Sequence, residues 1–378
     1  MRPLKTRRMI VAAAAAAAFA GLSAGPSGPV AQAADHPGEL AGDAPVTVVA
    51  SGLNGPRGLV WGPHGHLLVG EAGSVPAVCD SADPVTKNCY GLTGSIADVS
   101  SGTPVRIRTG LASLLNGAEM IGPDSLAYTG GRLYALEPAS PEFVPAGLPG
   151  LTPAVSAVLK KQYGALLDVT GRTPEVVGNP GDYDYRWAPT HDANPYALAV
   201  NPRGGFYVAD GGTNTLDSVD RSGTVRVLAP IPATPAGSNA VPTCVDIGPD
   251  GAVYVGELTG GGNSGTAANV YRYAPRTGRL TVWQSGFSAI NGCGFGANGD
   301  FYVTEFDTTG FLPTADPVGD VVQIGKDGRR TVLGGGRLYA PAGFLAAPDG
   351  SVYVSNYSSM WPFGDTTYAD AGEVVRIG

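Results

Sequence analysis

Pairs of short apolar strands, joined by a Gly-containing turn and closed by a carboxylate or amide, recur six times along the chain. The copies are GLVWGPHGHLLVGE (58–71), SLAYTGGRLYALE (125–137), ALAVNPRGGFYVAD (197–210), CVDIGPDGAVYVGE (244–257), CGFGANGDFYVTE (293–305) and GFLAAPDGSVYVSN (343–356). A third β-rich run follows each pair, and a fourth follows the first five, in the same order. The third strands read SIADVS, ALLDV, LDSVD, NVYRY, VVQIG and EVVRI, and the fourth PVRIRTG, PEVVG, TVRVLA, LTVWQSG and RTVLGG. Four strands per unit, repeated on the order of every 50 residues, predict an all-β, six-bladed β-propeller.

The sixth unit ends the chain without a fourth strand. An unassigned strand of that kind, VTVVASGL (46–53), precedes the first unit. It is therefore expected to complete the last blade, which joins the chain ends by backbone hydrogen bonds and covers an edge that would otherwise template aggregation. The division that follows is a signal peptide over 1–33, a short flexible segment over 34–45, and one propeller domain over 46–378.

The signal peptide rests on the basic start (Arg2, Lys5, Arg7, Arg8), the apolar run from Met9 to Leu22 and the small-residue site Ala31-Gln32-Ala33. The apolar run is too short for a membrane span, so the mature chain is expected outside the cytoplasm. The formal net charge is −8, and removing 1–33 takes away four cations and no acid. Such a surface excludes nucleic acid and anionic lipid as partners, because both are bound through clustered Lys and Arg. The four cysteines of an exported protein point to disulfides. Cys79 and Cys89 bracket one loop and are expected to pair. Cys244 and Cys293 hold equivalent positions on the first strands of adjacent blades; they pair if their Cα atoms come within about 7 Å, and stand as buried thiols otherwise.

Within each unit the chain runs down the first strand and up the second. The start of the first and the end of the second therefore share one face, and the long insertions gather there, whereas the turns on the opposite face are short. Binding is expected on the loop-rich face. Its insertions carry Phe143, Phe306, Phe311, Tyr357, Trp361, Phe363 and Tyr368, and the link between blades 2 and 3 carries Tyr183, Tyr185, Trp187, His191, Asp192 and Asn194. These side chains either form an aromatic rim for a ring-bearing or carbohydrate ligand or pack the loops onto the blades. Glu71, Glu137, Asp210, Glu257, Glu305 and Asn356 hold matching positions at the second-strand ends. They either form a ring of oxygen ligands suited to Ca²⁺ or cap their own loops by accepting backbone N–H groups. No G-x-S-x-G elbow or H-E-x-x-H pair occurs, and His191 is the one histidine placed to act as a base on the loop-rich face.

The runs DANPYALAV, VADGGTNTL and VPTCVDIGPDGAVYVGELTG, with NGPRGL near the start and YVSNYSS near the end, resemble the ScyD/ScyE family of exported propellers over essentially the whole mature chain. The G-x-[VF]-Y-V repeat is shared more widely with NHL-type and TolB-like propellers. The resemblance implies fold and export and transfers no catalytic residue. Cys244 departs from the family pattern and, taken with Cys293, favours their pairing. More distantly, the layout is similar to calcium-dependent lactonases and strictosidine synthase-like enzymes. The reading is a monomeric exported protein that binds a small molecule, carbohydrate or protein on its loop-rich face without catalysis. A Ca²⁺-dependent hydrolase at the channel mouth and a cell-envelope interaction protein are its alternatives.

Overall fold

In the computed structural model, the described residues are 39–40, 44–83, 86–117, 119–260, 265–311, 317–358 and 370–378. Six antiparallel sheets of four strands surround one axis, and the successive strands of each sheet are neighbours in sequence for blades 2 to 5. The inner strands are Pro56–Trp61, Ser125–Thr129, Pro195–Val200, Pro242–Ile247, Ile290–Phe295 and Phe344–Ala346. Every one pairs antiparallel with the second strand of its own repeat.

The last blade takes its outer strand from the other end of the chain. Val46–Leu53 pairs antiparallel with Gly372–Ile377, Val46 opposite Ile377 and Leu53 opposite Gly372. Upstream, Glu39–Leu40 adds a two-residue strand parallel to the outer strand of blade 5, beside Thr331 and Val332. Blade 1 also departs from four strands. Its third and fourth strands, Asn88–Asp98 and Val105–Asn116, run on together beyond the blade, where Val78–Cys79 and Glu119–Ile121 pair with them.

Inner strands of neighbouring blades approach so closely that glycine is required at their crossings. A Cβ on Gly343 would lie 2.3 Å from the Arg57 carbonyl, and one on Gly292 would lie 2.2 Å from that of Ala342. Between the outer strands the core is apolar and aromatic. At the boundary of blades 4 and 5, Tyr254 meets Trp283 and Phe295 edge-on, both at 4.9 Å between centroids. At that boundary Cys244 and Cys293 form a disulfide with Cα atoms 5.6 Å apart. Cys79 and Cys89 form the second, across the hairpin that extends blade 1.

Among the described residues two α-helices interrupt the β pattern, where the sequence reads as loops. Helix α1 (Pro153–Gln162) starts on Thr152, whose hydroxyl accepts the Val155 N–H, and ends on Lys160 and Lys161. Helix α2 (Pro180–Trp187) starts on Asn179, whose side chain accepts the Asp182 N–H. Each follows one rule: a polar N-cap, proline in the first turn, and a cation in the last turn against the carbonyl end of the dipole. No helix among the described residues is long and apolar enough to cross a membrane.

Candidate functional site

The six residues at the second-strand ends are almost wholly buried, and five of them bond to their own blade or to the segment that leads into it. Glu71 accepts the Asn54 N–H at 2.9 Å and the Ser95 hydroxyl at 2.6 Å, and pairs with Arg106 through both carboxylate oxygens. Asp210 collects three backbone N–H groups, from Asn194, Gly212 and Thr213. Glu257 accepts both N–H groups of Asn269, Glu305 accepts the Ser288 N–H, and Asn356 accepts the Tyr339 N–H while donating to Glu373. These bonds fix where each inner strand begins or each third strand resumes. Among the described residues no three His, Cys, Asp or Glu side chains gather so as to hold a metal ion. Burial pushes the Glu257 carboxyl up to about 7 and lifts Glu137 well above its ordinary range.

Among the described residues, most of the aromatic side chains predicted on the loop-rich face pack inward. Phe143 meets Tyr185 edge-on at 5.6 Å, Phe306 meets Phe311 at 5.7 Å, and Tyr357 stacks on Tyr339 at 5.0 Å. His191 lies against the Tyr185 ring, and its Nδ1 is 2.9 Å from the Tyr185 carbonyl. Asn194 accepts the Ala139 N–H at 3.4 Å, and Asp192 is buried. Trp361, Phe363 and Tyr368 lie outside the described residues.

Tyr183 and Trp187 behave differently. They stand one turn apart on α2 and are 39% and 48% exposed. Together with Asn179, Asp182 and Arg186 they border a groove of about 520 Å³ whose other wall is Gly223 and Val225, at the turn between the third and fourth strands of blade 3. The groove thus lies on the rim between blades 2 and 3, away from the axis over which the aromatic residues were expected. The inner side of α2 is pinned by a buried acid: Asp184 meets Asp210 and Asp217, all three without solvent exposure. Burial, then the charges of Asp217 and Asp210, raise the Asp184 carboxyl far above the usual range.

On the axis itself a second constellation appears, which sequence reading passed over. Arg57, from the inner strand of blade 1, is 1% exposed. It donates to the Tyr196 hydroxyl at 3.3 Å and to the Met120 carbonyl, and its Nε lies 3.6 Å from Asp124 Oδ1. The Tyr196 hydroxyl donates in turn to Asn291 Oδ1 at 2.7 Å, and Asn291 donates to the Pro341 carbonyl. Five blades and the hairpin of blade 1 are thereby tied together at the loop-rich end of the channel. The signal was present: a polar side chain near the start of otherwise apolar inner strands, in PRGLVW, PYALAV and INGCGF.

No protein-family model matches the chain, and no curated protein matches it. Among solved structures it is similar to a glucose dehydrogenase (TM-score 0.51, 12% identity, covering 88% of this chain and 99% of that one). It is similar too to a protein of unknown function from Bacteroides thetaiotaomicron (TM-score 0.50, 11% identity, covering 88% and 75%). A virginiamycin B lyase from Staphylococcus aureus follows at TM-score 0.47 and 11% identity, covering 88% and 99%. At such identity the likeness shows the fold alone: this chain is a six-bladed β-propeller.

Proposed function

We propose that the chain is an exported propeller of the ScyD/ScyE kind that binds a carbohydrate or similar ring-bearing ligand in the groove beside α2, without chemistry of its own. One observation carries the reading. Tyr183 and Trp187 remain exposed at the edge of a concave surface, although nearly every other described loop aromatic is folded inward. Exposed aromatic rings offer flat apolar faces to sugar C–H groups, and the neighbouring Asn179, Asp182 and Arg186 supply the polar partners that orient a ligand. Arg186 and Asp182 face each other at 2.9 Å, one turn apart, which holds the polar edge in place. Export is supported by the two disulfides and by the N-terminal basic and apolar segment.

The test is sedimentation of the purified protein with insoluble polysaccharides: cellulose, chitin and peptidoglycan. The wild-type protein should co-sediment with at least one of them, and Trp187→Ala should remain in the supernatant while retaining its melting temperature. Absence of wild-type binding to all three, or equal binding by Trp187→Ala, overturns the reading.

A further inference from the structure

In blades 1, 3 and 6 the last rung between the second and third strands sets one carboxylate opposite a neutral polar side chain. Glu71 faces Ser95, Asp210 faces Thr215, and Glu373 faces Asn356. Blade 5 sets an acid opposite an acid: Glu305 stands across from Asp320. The two are 0% and 6% exposed, and they close the ladder between Phe301–Glu305 and Val318–Ile324 on the loop-rich face.

Glu305 Oε1 accepts the Ser288 N–H at 2.7 Å. Glu305 Oε2 and Asp320 Oδ1 are buried and take no hydrogen bond from a described donor, although the two side chains lie within hydrogen-bonding reach of each other. Carboxylates are acceptors only, so such a pair is satisfied when a proton lies between them and repels when none does. Besides Asp320, the charge acting on Glu305 is that of Arg330, on the outer strand of the same blade. Its guanidinium is engaged by the Gly286 and Ser285 carbonyls and lies 4.2 Å from the centre of the Phe287 ring. Asp307 accepts the N–H and hydroxyl of Thr309, while Glu257 of blade 4 and Glu373 of blade 6 are held by Asn269 and Asn356. Burial, then the Asp320 charge, holds Glu305 up at about 8, and burial holds Asp320 up at about 6. Both values are raised, so the stabilising contribution of the pair is complete below the unfolded values of 4.5 and 3.8. It is lost as pH rises through about 6 and then about 8.

The segment that follows Glu305 is fastened around this rung. The Phe306 N–H donates to the Ala289 carbonyl at 2.7 Å, and the Ser288 hydroxyl donates to the Asp307 carbonyl at 2.5 Å. Farther on, the Thr309 carbonyl accepts the Gly265 N–H at 2.9 Å. A ladder opens most easily at its last rung. Two buried negative charges there are relieved by parting of the strand ends, and the loop leaves with them.

We propose that the Glu305–Asp320 pair is a proton-operated catch, which holds residues 306–311 down on the loop-rich face in acidic and neutral solution and frees them in alkaline solution. The catch belongs to blade 5 and does not depend on the groove beside α2.

The experiment is amide hydrogen exchange of the full mature protein at pH 6 and pH 9, read by mass spectrometry and corrected for the intrinsic pH dependence of exchange. Protection of residues 301–311 should fall at least tenfold between the two, while that of residues 206–219 in blade 3 should stay within twofold. The variant Asp320→Asn sets an amide opposite Glu305, as Asn356 faces Glu373, and should keep residues 301–311 protected at pH 9 to within twofold of pH 6. Should that variant fail to fold, Glu305→Gln serves in its place. Full protection of the wild-type segment at pH 9, or the same loss in the variant, overturns the proposal. An equal loss in blade 3 means general loosening of the propeller and overturns it as well.

Discussion

Val46 stands opposite Ile377, and the antiparallel ladder they begin runs through Thr47 and Arg376 to Leu53 and Gly372. The first and last strands of the domain are thus one sheet. Val46 also packs with Val352, Val375 and Ile377 in the core between blades 5 and 6. Removing the strand would expose the N–H and C=O groups of 372–377 along an open edge.

Truncation separates this ladder from the segment before it. Deletion of residues 34–52 should lower the melting temperature steeply or send the protein to the insoluble fraction. Among the described residues, deletion of 34–43 removes the pairing of Glu39 and Leu40 with the outer strand of blade 5, and it should change the melting temperature by no more than about 2 °C. Equal behaviour of the two truncations, followed by circular dichroism melting, would contradict closure by Val46–Leu53.

The disulfide between Cys244 and Cys293 closes a loop of one repeat, with a sequence separation of 49. Replacing both residues with alanine should cost about 2–4 kcal/mol in denaturant unfolding, through the freedom returned to the unfolded chain. Mass spectrometry of a non-reduced digest should show Cys79 joined to Cys89 and Cys244 joined to Cys293. Free thiols at any of the four positions in exported protein would count against the assignment.

The blades were legible because a strand pair with a fixed turn and a terminal acid repeats in register, and a period survives loop variation. The helices were legible locally, in Thr152-Pro153 and Asn179-Pro180, yet the strong β period drew the intervening residues into loops. The site was harder. An acid at the end of a strand looks the same in sequence whether it faces a shared ion or the N–H groups of its own loop. Asp210, with three backbone donors within 2.9 Å, shows which partner is nearest. Tyr183 and Tyr185 sit two residues apart, so the turn of α2 sends one outward and the other against Phe143. That choice depends on a helix whose existence had to be known first. The Arg57 constellation joins residues up to 139 positions apart, a distance over which no local pattern operates.

Stability should peak in mildly acidic solution. Burial pushes the Asp124 carboxyl up to about 7 against the pull of Arg57, and the Glu257 carboxyl up to about 7 against the hydrogen bonds from Asn269. Between about pH 4 and 7 the folded protein retains protons that the unfolded chain releases, so stability falls as pH rises. The contribution is complete below the unfolded values of 3.8 and 4.5, and is lost as pH passes through about 7. Each such carboxyl contributes on the order of 3 kcal/mol. Exposed acids work in the opposite sense at lower pH: Asp220 and Asp349, held down by bonds from Ser222 and Ser351, lose that support as they are protonated. Melting temperatures should therefore rise from pH 8 to pH 5 and fall below pH 4. Glu257→Gln should flatten the upper part of the profile, and an unchanged slope in that variant would refute the assignment.

Two neighbouring aromatic residues of α2 should respond to substitution in opposite ways. Tyr185 is packed between Phe143 and His191, so Tyr185→Ala should destabilise the protein by about 2–4 kcal/mol through the cavity it leaves. Trp187 is 48% exposed, so Trp187→Ala should cost little in stability, within about 0.5 kcal/mol. Its effect should fall on binding, where an aromatic anchor that becomes desolvated carries about 2 kcal/mol, roughly a thirtyfold change in Kd. Denaturant unfolding and polysaccharide co-sedimentation of the two variants, measured together, separate the roles. If Trp187→Ala unfolds as readily as Tyr185→Ala, the exposed ring is part of the packing that holds α2 against blade 3, and the groove loses its principal contact.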